Sequence, residues 1–287
     1  MKADARPRLV GNKNKVAAGT SPAAPATRAL EGIRLQIQGG VATLAIDRPQ
    51  ARNALNLATM RSLGIALDEA ESRRARVLVI RGAGDKAFCA GGDLKELEHM
   101  RSAEQAAQMA RTMRTTLDRL SQLRMPVIAA LNGDALGGGA ELALACDFRI
   151  AAAHARIGFP QVNLGLIPAW GAPERLAALL GRARALHVML TGKALSAEEA
   201  MHAALVEEVV PSDRFEARVH ELAKDIAGAP PAAVTGIKRS VDSVRPQRNP
   251  ELAEKAIAEF ARTWAAPAHW RAVEKMEKRR RGSKAGR

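Results

Sequence analysis

The sequence has no tyrosine, and aromatic residues make up only 3% of its 287 positions. That excludes a tyrosyl acid or base and leaves few rings on which nucleic-acid bases could stack. Cysteine is nearly as scarce. Cys89 and Cys146 are far apart and form no CxxC pair, so neither a disulfide framework nor a zinc site is expected, and a reducing cytoplasm fits. No apolar run reaches the roughly 18 residues of a membrane-spanning helix. The N-terminus lacks the basic-then-apolar order of a secretory signal. Acidic residues are outnumbered 30 to 44 by Lys and Arg, giving a net charge of +14.

That charge is unevenly placed: residues 1–28 carry +5, residues 271–287 carry +6, and the 242 residues between them hold only +3. The basicity belongs to two tails, which read as solvated ends more readily than as a nucleic-acid surface. Residues 1–28 show no apolar periodicity and are expected to be disordered. A mitochondrial transit peptide is the rival reading, weakened by the lack of an amphipathic face.

Strand and helix signals then alternate. Two apolar runs around Gly39-Gly40, within residues 35–46, predict a hairpin. Residues 53–73 carry Leu57, Met60, Leu63 and Leu67 at helical spacing. Strands are expected at 77–80, 127–131, 148–152 and 156–159, and a helix at 103–123. From Glu174 onward the pattern is helical, with a capping box at Ser196–Glu199 and helices over 215–228, 230–241 and 250–264. The division predicted is a tail over 1–28, an α/β core over 29–212 and a helical C-terminal region with a basic tail over 213–287.

Two segments carry chemical promise. Paired Gly91-Gly92 followed by Asp93 allows a sharp turn, with Asp93 placed to cap a helix and backbone N–H groups left to receive an anion. Gly137-Gly138-Gly139 opens a second helix, and Glu141 follows Gly138 by about one helical turn. A glutamate there could simply steady the helix N-terminus, worth about 0.3–1 kcal/mol. Two such turns favour chemistry, since an oxyanion hole needs two converging N–H donors, each worth about 2.7–4 kcal/mol of barrier.

The blocks Arg48-Pro-Gln-Ala-Arg-Asn-Ala-Leu-Asn56, Phe88-Cys-Ala-Gly-Gly-Asp-Leu-Lys-Glu96 and Gly137-Gly-Gly-Ala-Glu-Leu-Ala-Leu-Ala-Cys-Asp147 resemble signatures of the crotonase superfamily, the enoyl-CoA hydratase/isomerase family. Pro160-Gln-Val-Asn-Leu-Gly-Leu-Ile-Pro168 and Leu190-Thr-Gly192 continue in the family's order. The resemblance implies an α/β fold built as a crotonase-like spiral of ββα units with a C-terminal helical trimerisation region. It also implies a homotrimer or a hexamer made as a dimer of trimers. Gly92 and Gly138 match the oxyanion-hole amides. Ala90, Gly92, Asp93, Leu94, Lys95 and Gly138 match the segments that hold substrate and coenzyme A, and Glu141 matches the first of two hydratase glutamates. The second position is Gln161. Coenzyme A enters as the substrate's thioester, with no separate cofactor and no metal. The six histidines show no metal-ligand spacing.

An amide is no useful base at neutral pH, so Gln161 can only orient water or substrate. Losing a general acid–base group commonly costs about 10²–10⁴ in rate. Hydration of an enoyl-CoA with one catalytic glutamate leads. Decarboxylation or isomerisation of an acyl-CoA on the same scaffold, or a weakly catalytic CoA-binding protein, are the alternatives. Val162-Asn163-Leu164-Gly165 also occurs in methylmalonyl-CoA decarboxylases, but the histidine and tyrosine of that enzyme have no counterpart. Ala169-Trp170 and Pro173 depart from the family's small glycine-rich loop. Trp170 either shapes the acyl pocket or packs in the core. Lys275 replaces a common aromatic. No membrane or nucleic-acid partner is expected, and the compartment is cytoplasmic, or the mitochondrial matrix in a eukaryote.

Overall fold

The computed structural model describes residues 26–244 and 249–285. The expected disordered tail lies outside the described residues over 1–25. Over residues 26–28 it is corrected, because Ala26–Leu30 forms strand β1, antiparallel to β2 (Ile33–Gln38). Residues without a pattern of their own are recruited by the open backbone groups of an edge strand, and Arg28 reaches Glu69 at 2.6 Å.

The glycine-centred hairpin forms as expected, pairing β2 with β3 (Val41–Ile46) through Gly39 and Gly40, both at positive φ. Helix α1 (Leu57–Ser72) starts at the first residue of its apolar face, later than the expected start at residue 53. Asn56 is its cap, accepting from the Thr59 N–H at 2.9 Å. Asn53 turns instead into the left-handed region, and its amide bonds the carbonyls of Ala83 and Ala87.

The chain then repeats one operation three times. Strands β4 (Val77–Gly82) and β5 (Ala87–Cys89) are followed by α2 (Leu94–Leu97) and α3 (Ala103–Ser121). Strands β6 (Val127–Leu131) and β7 (Asp134–Leu136) lead into α4 (Gly138–Ala145). Strands β8 (Phe148–Ala152) and β9 (Arg156–Gly158) lead, through a 3₁₀ turn over Pro160–Leu164, to α5 (Ala172–Leu180) and α6 (Arg182–Thr191). The first strand of each pair joins one sheet in parallel, β4-β6-β8, and the second joins another, β5-β7-β9. Splitting every pair between two stacked sheets produces the expected spiral of ββα units.

The reading of the chain beyond Glu174 as purely helical is corrected by two three-residue strands. After β10 (Ala194–Ser196) come α7 (Ala197–His202) and β11 (Glu208–Val210). β10 pairs antiparallel with β9, and β11 extends the large sheet beside β8. Strands this short have no periodicity to read; the neighbouring edge defines them. The large sheet runs β1-β2-β3-β4-β6-β8-β11 and the small one β10-β9-β7-β5.

Helices α8 (Phe215–Gly228), α9 (Pro231–Asp242), α10 (Pro250–Ala265) and α11 (Pro267–Ala285) complete the described chain. α10 packs on α3, and α11 packs on the 3₁₀ turn. The basic stretch read as a tail is thus helical as far as Ala285. At the centre lies α4, whose residues from Gly139 to Ala145 are all buried. Its Gly and Ala content fits that position, because only small side chains let two sheets and several helices close around one short helix. No described helix is long and apolar enough to cross a membrane.

Candidate active site

The two glycine turns meet. Strand β5 delivers Ala90-Gly91-Gly92, and this loop pairs with residue 55: the Leu55 N–H donates to the Gly91 carbonyl at 2.8 Å, and the Asp93 N–H donates to the Leu55 carbonyl at 2.9 Å. In such a parallel bridge the middle residue's own N–H points to the other side. Gly92 therefore turns its N–H away from Leu55.

On the facing turn, Gly137 adopts φ 57° and its N–H donates to the Gly158 carbonyl at 2.9 Å, leaving Gly138 as the first residue of α4. First-turn N–H groups have no partner within a helix. The two turns fit together only as glycines. A Cβ on Gly91, itself at φ 92°, would lie 2.9 Å from the Gly138 nitrogen, and one on Gly139 would lie 2.0 Å from the Cys89 carbonyl oxygen. Gly91 and Gly139 are buried, whereas Gly92 and Gly138 remain half-buried.

Glu141, one turn into α4, is 2% exposed. Its Oε2 accepts from the Trp170 N–H at 2.7 Å and the Ala172 N–H at 3.1 Å, and its Oε1 accepts from Gln161 Nε2 at 3.2 Å. Burial pushes this carboxyl up to about 7, although the two main-chain donors and the Arg175 charge pull the other way. A carboxyl poised near neutrality can both accept and return a proton. Gln161 is set by the 3₁₀ turn that Pro160 opens. Its Nε2 faces Glu141, while its Oε1 is buried without a hydrogen-bond partner among the described residues.

The remaining expected site residues sit around the first turn. Asp93 does not cap α2 with its side chain, as its place before that helix suggests; its carboxylate pairs with Arg48 at 2.8 Å. The salt link outcompetes the cap because α2 is a single turn and Arg48 also holds Glu96 and the Ala54 carbonyl. Ala90 donates to the Arg52 carbonyl at 3.1 Å, Leu94 is partly buried, and Lys95 is exposed on α2. Burial raises both Cys89 and Cys146 to about 12, which makes them packing residues rather than nucleophiles.

Sequence reasoning overlooked the clamp on Glu141. Trp170 and Ala172 act through main-chain N–H groups, which carry no residue signature. Gly171, at φ 107° between them, is the one trace of that turn in the sequence. The loop is further fixed by Arg175, which donates to the Trp170 carbonyl at 2.7 Å and to Asp118 at 2.6 Å. A separate cavity of about 450 Å³, lined by Lys86, Asn132, His154 and Ser212 among others, contains none of the expected site residues.

The family model for enoyl-CoA hydratase/isomerase matches residues 36–280. The short-chain-enoyl-CoA hydratase of Clostridium acetobutylicum is 36% identical over 214 residues, covering 74% of this chain and 82% of that protein. The crotonyl-CoA hydratase of Syntrophomonas wolfei is 38% identical over 196 residues, covering 68% and 75%. The crystal structure of an enoyl-CoA hydratase from Bacillus anthracis superposes with a TM-score of 0.72 at 36% identity, covering 86% of this chain and 96% of that one. Ordered glycine turns, a buried glutamate and a spiral of split strand pairs coincide with these matches, and the chain belongs to the enoyl-CoA hydratase/isomerase family.

Proposed function

We propose that the chain hydrates an enoyl-CoA thioester with Glu141 as its one proton-transfer group. The Gly92 and Gly138 N–H groups hold the thioester oxygen, and the Ala90–Lys95 segment holds the coenzyme A portion of the substrate. Water, oriented by Gln161, loses a proton to the Glu141 carboxylate as its oxygen bonds to Cβ. The C=C electron pair moves to Cα and onto the thioester oxygen, where the two amides stabilise it. Glu141 then returns the proton to Cα. No charge or atom is left over.

The observation that carries this reading is the joint state of Glu141 and Gln161. One end of the Gln161 amide is fixed on the carboxylate, and the other is a buried acceptor lacking a donor among the described residues. A water between amide and substrate meets that need. The relatives point the same way, since two of them are named as short-chain-enoyl-CoA and crotonyl-CoA hydratases.

A panel of enoyl-, dienoyl- and malonyl-type CoA thioesters followed by mass spectrometry tests the reaction, with gain of water expected on the enoyl member. Glu141→Gln should lower hydration by about 10²–10⁴-fold while thioester binding persists, and Gln161→Glu should raise it at least about tenfold. Loss of carbon dioxide from the malonyl thioester without hydration of the enoyl one would replace the reading by decarboxylation.

The same proposal takes the molecule to be a homotrimer or a dimer of trimers, located in the cytoplasm, or in the mitochondrial matrix in a eukaryote. α9 supports assembly: none of its residues is buried, and Ile237 and Val241, one turn apart, are 66% and 59% exposed.

A further inference from the structure

The indole of Trp170 stands against the glycine that opens α4. A Cβ built on Gly138 would fall 2.1 Å from Trp170 Cζ3, 2.6 Å from Cη2 and 2.8 Å from Cε3. The benzo edge of the ring therefore fills the space directly beside the Gly138 Cα. Trp170 is only 5% exposed, so the ring already occupies that place in the free chain.

The ring's backbone is held from several sides. Its N–H donates to Glu141 Oε2, its carbonyl accepts from Arg175, and the Ala172 N–H binds the same carboxylate oxygen. Arg175 is in turn fixed on Asp118. Gly171 has φ 107°, a backbone conformation that side-chain-bearing residues rarely adopt, so the turn is built around a glycine. A rigid ring with two torsions on a clamped backbone is a wall rather than a flap.

The ring thus lies beside Gly138, while the main-chain N–H of Trp170 binds the Glu141 carboxylate. We infer that Trp170 limits the length of the acyl group, so that the site takes short, flat enoyl chains in preference to long ones. The inference rests on the proposed thioester site, since the ring can select chain length only if the acyl carbons pass between Gly138 and Glu141. A hydrophobic pocket distinguishes chains by about 10–200-fold per methylene-sized misfit, and a clash with an immobile ring belongs at the upper end.

The test is binding, not turnover. Dissociation constants for butyryl-, hexanoyl-, octanoyl- and decanoyl-CoA would be measured by titration calorimetry on the full chain and on Trp170→Ala and Trp170→Phe, beside free coenzyme A. The natural chain should bind butyryl-CoA at least tenfold more tightly than octanoyl-CoA. Trp170→Ala should erase or reverse that ratio, and Trp170→Phe should leave it intermediate. If Trp170→Ala does not fold, the natural profile and the phenylalanine variant decide. Equal affinity for all four chains in the natural protein, or an unchanged ratio in the variants, overturns the inference and leaves the proposed function standing. Failure of every thioester to bind overturns both.

Discussion

At the scale of single residues, Glu141 governs the pH response. Its folded carboxyl titrates near 7 against an unfolded value of 4.5. Between those values the folded chain holds a proton that the unfolded chain has released, so stability falls as pH rises through that window. A displacement of this size corresponds to about 3 kcal/mol. Urea unfolding at pH 5 and pH 8 should show Glu141→Gln losing up to about 3 kcal/mol of pH-dependent destabilisation; equal dependence in both proteins would place the titrating group elsewhere. In the proposed hydration the carboxylate form begins the cycle. Hydration measured as kcat/KM should fall about tenfold per pH unit below pH 7 and level off above it. Gly138 offers a second residue-scale expectation. Gly138→Ala drives a methyl into the indole and should lower Tm, whereas adding it to Trp170→Ala should cost little further, because the clashing ring is gone. Thermal unfolding of the three variants measures that coupling.

The glycines were legible in the sequence because a side chain at Gly91, Gly138 or Gly139 would collide with the facing turn or ring, and Glu141 because it follows them at helical spacing. The Trp170 and Ala172 donors were not, since a main-chain N–H has no letter in the sequence. Whether Trp170 faced the pocket or the core was equally unreadable, and its place beside Gly138 emerged only from the fold.

Among elements, the long apolar strands and the glycine-centred hairpin announced themselves through period and turn chemistry. β10 and β11 did not, because three residues give no period and each is a strand only by virtue of the edge it joins. Asp93 shows a similar limit. Local sequence assigns it to a cap, but Arg48, distant along the chain, takes its carboxylate. α1 shows the reverse case: its apolar face from Leu57 is legible in the sequence, while the residues from 53 to 56 are held out of the helix by the Asn56 cap.

For the molecule as a whole, the outward face of α9 carries an expectation about assembly. Ile237→Glu with Val241→Glu should shift sedimentation from an oligomer toward a monomer, without altering the descent of the Glu141 titration in whatever activity persists. Unchanged sedimentation would assign the assembly to another surface. The spiral was legible only through its ordered motif blocks, since composition and periodicity stop at alternating strands and helices and do not say that each strand pair divides between two sheets.

The enclosure of α4 constrains how this enzyme could be altered. Every residue from 139 to 145 is sealed between layers, so the shaft that bears the Glu141 carboxylate has no slack for enlargement. Redesign aimed at new substrates must therefore leave this axle untouched and work on the rim, at exposed positions such as Lys95, Val162 and Asn163.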